Sequence, residues 1–126
     1  MKLEDISKIA VIGAGTMGQG IAQICAMAGY EVVIYDLSEQ TLATAEANIS
    51  TNLDKGIERG KVTQAEKIAS LERITFSGDE RSLVADVIIE AIIENLDVKK
   101  ALFANLEAIN SENTILASNP SSIPIT

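Results

Sequence analysis

The residues of this sequence best suited to chemistry form a glycine-rich loop near its start. Gly13, Gly15 and Gly18 are spaced as G-x-G-x-x-G, after a short apolar run and before an Ala/Ile/Met-rich stretch. At a strand-to-helix turn, the first glycine permits a tight turn, the second lets the backbone approach a pyrophosphate, and the third allows close helix–strand packing. Thr16 and Met17 would add N–H groups at the helix N-terminus. Because the same glycines also suit a sharp turn without a ligand, the motif alone leaves both interpretations open.

A carboxylate at the end of the following strand favours the binding interpretation. Asp36 lies 18 residues after Gly18 and closes the run EVVIYD. That spacing is typical of an acid that accepts hydrogen bonds from the ribose hydroxyls of an adenine dinucleotide and repels a 2′-phosphate. Neither of the next two residues, Leu37 and Ser38, is an arginine that could bind such a phosphate. Asp36 alone would also suit a turn, but loop and acid together predict a dinucleotide site that takes NAD rather than NADP.

Short β-branched runs alternate with helical stretches, which predicts a parallel sheet covered on both faces. The predicted strands are 8–13, 31–36, 74–77, 86–91 and 114–119, and the predicted helices are 16–28, 38–59, 62–71, 79–84 and 95–109. Ser38 is a plausible N-cap and Gly29 a helix end. The two helices that follow the second strand predict a helical hairpin. Right-handed crossovers favour a doubly wound order.

The composition indicates one folded domain and argues against several classes of protein. The 126 residues, 47% hydrophobic and 22% charged, suit one folded domain, and a net charge of −8 argues against binding to nucleic acid or anionic membranes. No apolar run approaches the roughly 18 residues of a membrane span, and the start is unlike a signal peptide. Cys25, Met17 and Met27 are predicted to be core or packing residues. The acids show no metal-site spacing, histidine is absent, and we expect a reduced, cytoplasmic location.

Three stretches resemble the NAD-binding domain of the L-3-hydroxyacyl-CoA dehydrogenases, a family that includes the 3-hydroxybutyryl-CoA dehydrogenases. They are VIGAGTMGQGIAQICAMAGYEVVIYD at 11–36, ADVIIEAIIENLDVKKALFANLE at 85–107 and TILASNPSSIPIT at 114–126. The second and third are more specific than the glycine loop, which occurs in many dehydrogenases. The resemblance covers essentially the whole chain. It implies an α/β, Rossmann-like, doubly wound parallel sheet with a helical hairpin inserted after the second strand.

The resemblance also implies an activity, the interconversion of 3-hydroxyacyl-CoA and 3-oxoacyl-CoA by hydride transfer with NAD. At matching positions, Ala91, Glu94 and Lys99 would lie along the nicotinamide side of the cofactor. Asn119 and Ser121 would lie nearest the reacting centre, with Asn119 also at the cofactor and Ser121 hydrogen-bonded to the 3-oxygen of the substrate. Fatty-acid oxidation or butanoate metabolism is the expected setting.

The sequence departs from the family pattern in two respects. The family's base is a histidine, backed by a glutamate, on segments after the SNxSS stretch, whereas this chain has no histidine. We therefore expect residues 1–126 to form one NAD-binding domain that is truncated relative to the family and has negligible turnover alone. In the family, a helical domain completes the acyl pocket and forms the homodimer, and we expect it to lie beyond these residues. Pro120 stands where the family usually has threonine and removes a backbone donor.

Several assignments keep a simpler alternative. Glu94 and Lys99 would also suit an exposed helix, and Ser121 a helix cap. The hairpin cations would either meet the CoA phosphates or belong to an ordinary mixed-charge surface, namely Lys55, Arg59, Lys61 and Lys67. For the whole chain, the alternatives are a stand-alone dinucleotide-binding or redox-sensing module, and a related NAD-dependent dehydrogenase acting on a sugar acid or hydroxy acid.

Overall fold

The protein folds around one five-stranded parallel sheet. The structure, a computed structural model, describes residues 6–91 and 96–118. The strands are β1 (Lys8–Ile12), β2 (Glu31–Tyr35), β3 (Ile74–Ser77), β4 (Val87–Glu90) and β5 (Ile115–Ser118), and the helices are α1 (Thr16–Met27), α2 (Glu39–Glu58), α3 (Gln64–Glu72) and α4 (Leu96–Ile109). The strand order is β3-β2-β1-β4-β5. This doubly wound order confirms the predicted fold class.

Alternate residues of the central strands face two separate cores. On one face, Val11 and Ile34 pack with the small residues of α1 and with apolar residues of α2 such as Ile49. On the other face, Ile12 and Ile88 pack with apolar residues of α4. Because helices cover both faces, the strands are apolar at nearly every position instead of alternating with polar residues. That explains why the strands could be predicted from short β-branched runs.

Where the predicted element ends fall on described residues, they hold to within two residues. The predicted helix 79–84 is only a 3-10 turn, Glu80–Ser82, and ends two residues earlier than expected. A difference of the same size is found at the start of α3. We expected that helix to begin at Val62, but it begins at Gln64. Thr63 caps it, since its hydroxyl accepts from the Glu66 N–H at 3.1 Å while the Glu66 carboxylate accepts from the Thr63 N–H at 3.1 Å. This reciprocal capping box is a stronger start signal than the apolar Val62.

Met17 and Met27 were predicted to be core or packing residues, and their assignment to the core is wrong. Met17 is 45% exposed and Met27 is 41% exposed. The helix lies against the sheet through its smallest residues, Gly18, Ala22 and Ala26, which recur every four residues on one face. Both methionines lie outside that face.

Cys25 is half-buried, and burial raises the pKa of its thiol.

Asp86 connects the start of β1 to the start of β4. Its Oδ2 atom accepts hydrogen bonds from the N–H groups of Ser7 and Lys8, at 2.9 and 3.0 Å, and from the Ser7 hydroxyl at 3.2 Å. The Ser7 N–H, followed by the Lys8 N–H, stabilises the ionised carboxyl and lowers the pKa of Asp86.

This lowered pKa predicts a pH-dependent contribution to stability. The contribution is present above the ordinary aspartate pKa of about 3.9 and is lost as the pH falls through the lower value of the folded state. We expect Asp86→Ala to reduce the free energy of unfolding at neutral pH by about 1 kcal/mol, allowing for solvent screening. Urea titrations at several pH values should show this difference shrinking below about pH 4. A difference that persists unchanged in acid, or one matched by the exposed control Glu112→Ala, would contradict this role.

Candidate functional site

The glycine loop lies at the carboxyl end of β1, beside the point where the strand order reverses. The chain leaves β1 towards β2 on one side, and β4 lies on the other, so a crevice forms at this edge of the sheet. Gly13 has φ 106°, in the left-handed region that favours glycine, and its N–H donates to the Tyr35 carbonyl at 2.7 Å. Gly15 has φ −75° and ψ −169°, which any residue can adopt. Backbone conformation therefore does not require glycine at position 15.

Gly18 is where α1 crosses closest to the loop. A Cβ atom built there would lie 1.7 Å from the Gly13 carbonyl oxygen and 2.8 Å from its carbon. Both are backbone atoms, so a side chain could not be accommodated by a rotamer change. The close helix–strand packing expected of the third glycine is thus present.

The N-terminus of α1 is suited to an anion. Gly15 is its N-cap residue and makes no side-chain cap, and its first turn has no acidic residue. The first N–H groups of a helix lack intrahelical acceptors and lie at the positive end of the helix dipole. Thr16 and Met17, in that first turn, have exposed side chains. These features fit the diphosphate of a dinucleotide.

Asp36 is brought directly against the loop. Its Oδ2 accepts from the Ala14 N–H at 3.0 Å, and its Oδ1 accepts from the Ser38 N–H at 2.9 Å. The two backbone donors fix the orientation of the carboxylate at the end of β2. A carboxylate accepts more than two hydrogen bonds, so these contacts leave acceptor sites for ribose hydroxyls.

A polar cavity of about 350 Å³ opens between the loop and α2. Some of the lining residues from the loop and α1 were among the predicted site residues, but none of those from α2 was predicted. The residues that line it are Ala14, Gly15, Thr16, Gln19, Gln40, Thr41, Thr44 and Asn48. A sequence signal existed, because positions 40, 44 and 48 recur every four residues and are all polar. They extend the candidate site along the hairpin.

The end of β4 completes the same edge of the sheet. The Ala91 N–H donates to the Ile12 carbonyl at 2.9 Å, which places Ala91 beside the start of the loop. Glu90, in register with Ile12 and Ser118, is fully buried. It was not among the predicted site residues, although an acid that closes an apolar strand is visible in the sequence.

The other predicted site residues lie partly outside the described residues. The structure does not describe the side chain of Lys99, nor the residues Glu94, Asn119, Pro120 and Ser121. Within the hairpin, Lys67 forms an ion pair with Asp54, and the other three cations are exposed: Lys55, Arg59 and Lys61.

The described ranges, 6–91 and 96–118, offer neither a metal site nor a membrane span. No group of three or more His, Cys, Asp or Glu side chains there could hold a metal ion. No helix in these ranges is long and apolar enough to cross a membrane.

The fold and the site together define a dinucleotide-binding domain. A glycine loop opens a helix at the switch point of a doubly wound sheet, and a carboxylate at the end of β2 lies next to it. Residues 8–126 match the model of the 3-hydroxyacyl-CoA dehydrogenase NAD-binding domain. The chain belongs to this family, and its cofactor is NAD.

Individual relatives agree with this assignment. The chain is 42% identical over 123 residues to the 3-hydroxyadipyl-CoA dehydrogenase of Escherichia coli K12, covering 97% of this chain and 26% of that protein. It is also 42% identical to the probable 3-hydroxybutyryl-CoA dehydrogenase of Bacillus subtilis, covering 97% and 43%. The crystal structure of the (S)-3-hydroxybutyryl-CoA dehydrogenase from Ralstonia eutropha superimposes with a TM-score of 0.87 at 42% identity, covering 96% and 43%. The chain thus spans less than half the length of these relatives.

Proposed function

We propose that this chain supplies the cofactor-binding part of an NAD-dependent 3-hydroxyacyl-CoA dehydrogenase. The family match over residues 8–126 carries the proposal. The reaction moves a hydride from C3 of the substrate to NAD and the hydroxyl proton to a base, leaving a 3-oxoacyl-CoA. The chain contains no histidine, the side chain that most often serves as such a base. The base therefore comes from outside these residues, and the chain alone has negligible turnover.

Each predicted residue has a stated role in this proposal. The loop from Gly13 to Gly18 holds the diphosphate, and Asp36 holds the adenosine ribose. The nicotinamide side is formed by Ala91, Glu94 and Lys99. Asn119 and Ser121 lie nearest the substrate, with Ser121 orienting the 3-oxygen. The contact of Asp36 with the loop supports the first two placements, and the contact of Ala91 with Ile12 supports that of Ala91, since these contacts bring separate strands to one edge.

The experiment joins this chain to the remaining part of the Bacillus subtilis relative. We expect the chain alone to bind NADH without oxidising it in the presence of acetoacetyl-CoA, and the chimera to oxidise it. Absorbance of NADH measures turnover, and fluorescence titration measures binding. A chimera that folds and binds NADH but does not turn over acetoacetyl-CoA would refute the proposed role of this chain as the cofactor-binding part of such an enzyme.

The same assays on the chain alone and on the longer natural protein separate the alternatives, because the acyl pocket of the chimera comes from the relative. A redox-sensing module should bind NADH with no effect of a CoA thioester in either form of the protein. A sugar-acid or hydroxy-acid dehydrogenase should turn over its free acid and not acetoacetyl-CoA.

The wider setting of the full protein is part of the same proposal. We assign the full protein to fatty-acid oxidation or butanoate metabolism in the cytoplasm, as a homodimer formed through the part that this chain lacks relative to its family. The activities in the names of its relatives support the metabolic assignment. Light scattering on the longer protein tests the dimer.

A further inference from the structure

We propose that Gln19 is a positioning residue that sets the direction of the Gly15 N–H group in the diphosphate loop. Gln19 occupies a position just beyond the G-x-G-x-x-G spacing, so the motif does not require it. The inference rests on the cofactor-binding role of the loop and assigns to Gln19 a part in holding that loop.

Ala14, between the first two glycines, is held through both of its peptide groups. Its side chain is fully buried, and its N–H donates to Asp36 Oδ2 at 3.0 Å. Its carbonyl accepts from Gln19 Nε2 at 3.0 Å. Asp36 therefore fixes the peptide group between Gly13 and Ala14, and Gln19 fixes the next one, between Ala14 and Gly15.

The second of these peptide groups contains the N–H of Gly15, a residue that lines the polar cavity beside the loop. In a trans peptide the carbonyl of one residue and the N–H of the next point in opposite directions. No cis peptide occurs in the described part of the chain. The bond from Gln19 to the Ala14 carbonyl thus aims the Gly15 N–H. Without it, a peptide flanked by glycine would rotate more freely, because glycine adds little steric restriction.

A second hydrogen bond orients the Gln19 amide itself. Gln19 Oε1 accepts from Asn48 Nδ2 of α2 at 3.1 Å. With its oxygen engaged by Asn48, the amide presents its nitrogen to Ala14. Gly15, Gln19 and Asn48 all line the polar cavity beside the loop. The chain of contacts therefore links the hairpin helix to the diphosphate loop.

The test compares Gln19→Met with Gln23→Met, both nearly isosteric changes on α1. Gln23 lies one turn further along, and its Nε2 contacts the Met27 sulfur at 3.9 Å, away from the loop. We expect Gln19→Met to raise the Kd for NADH and ADP-ribose about fivefold, the size of one net hydrogen bond. Adenosine, which lacks the diphosphate, should bind as before. Asn48→Ala should raise the Kd for NADH about twofold in the wild-type chain. In a protein that already carries Gln19→Met, it should cause no further increase in that Kd.

The ligand-free protein provides an independent measurement. The amide resonance of Gly15 should shift, and its hydrogen exchange accelerate, in Gln19→Met but not in Gln23→Met. Equal NADH affinity in the two variants, additive effects of the Gln19 and Asn48 changes, or an unchanged Gly15 amide would overturn the proposal.

A second variant covers the case in which Gln19→Met folds poorly. Gln19→Glu keeps the acceptor for Asn48 while losing the donor to Ala14, so the same shift and faster exchange of the Gly15 amide are expected. An unchanged Gly15 amide in Gln19→Glu would equally overturn the proposal. Failure of the wild-type chain to bind NADH would refute its cofactor role instead, and the amide measurement would still decide on Gln19.

Discussion

Replacing Gly18 with alanine is expected to lower the free energy of unfolding by about 3 kcal/mol or more and to abolish measurable NADH binding. The new Cβ would lie 1.7 Å from the Gly13 carbonyl oxygen, a backbone atom. Relief requires that α1 move away from β1 or that the Gly13 peptide turn. Either movement disturbs the bonds that Gly13 makes to Tyr35 and that Ala14 makes to Asp36. Urea denaturation measures stability, and fluorescence titration measures binding.

Gly20 provides the matched control for this change. It lies in the same helix, two residues later, and a Cβ there meets no heavy atom within 4 Å. Gly20→Ala should therefore raise the free energy of unfolding by about 0.5–1 kcal/mol, as alanine favours the helix. If Gly18→Ala proves as stable as Gly20→Ala, the close contact between α1 and the loop does not exist in solution.

Replacing Asp36 with alanine should weaken NADH binding about 100-fold and NADPH binding about tenfold or less. The variant loses the hydrogen bonds from Ala14 and Ser38, which hold the loop for either cofactor. In our proposal it also loses the ribose hydroxyls of NADH, a contact that NADPH cannot make fully because of its 2′-phosphate. The preference for NADH over NADPH should therefore narrow. Parallel fluorescence titrations with the two cofactors measure both effects.

The two cofactors also separate the two roles of Asp36. Equal losses for NADH and NADPH would mean that Asp36 only orders the loop, and unchanged affinity for both would refute its assignment to the site. Asp79 serves as the control carboxylate, because it follows β3 at the same edge of the sheet and pairs with Arg81. Asp79→Ala should leave both affinities unchanged.

Much of this fold is local in origin and was therefore predictable. Helices on both faces of a parallel sheet require strands that are apolar at nearly every position, and the run VVIY within β2 shows this directly. Gly29, predicted to end α1, has φ 104°, and Ser38 accepts from the Thr41 N–H as the predicted N-cap. These features depend on neighbouring residues alone. The missed capping box at Thr63 was also local, so its signal was available in the sequence.

The sequence by itself determined the loop, the acid at the end of β2 and the family to which the chain belongs. Only the tertiary structure showed that Asp36 and Gln19 hold the two peptide groups of Ala14, and that Asn48 reaches Gln19 from α2. It also placed Met17 and Met27 outside the core. The physical reason is the same in each case. Helical periodicity says which residues share a face, whereas the partner of that face depends on how distant elements pack, which no local pattern specifies.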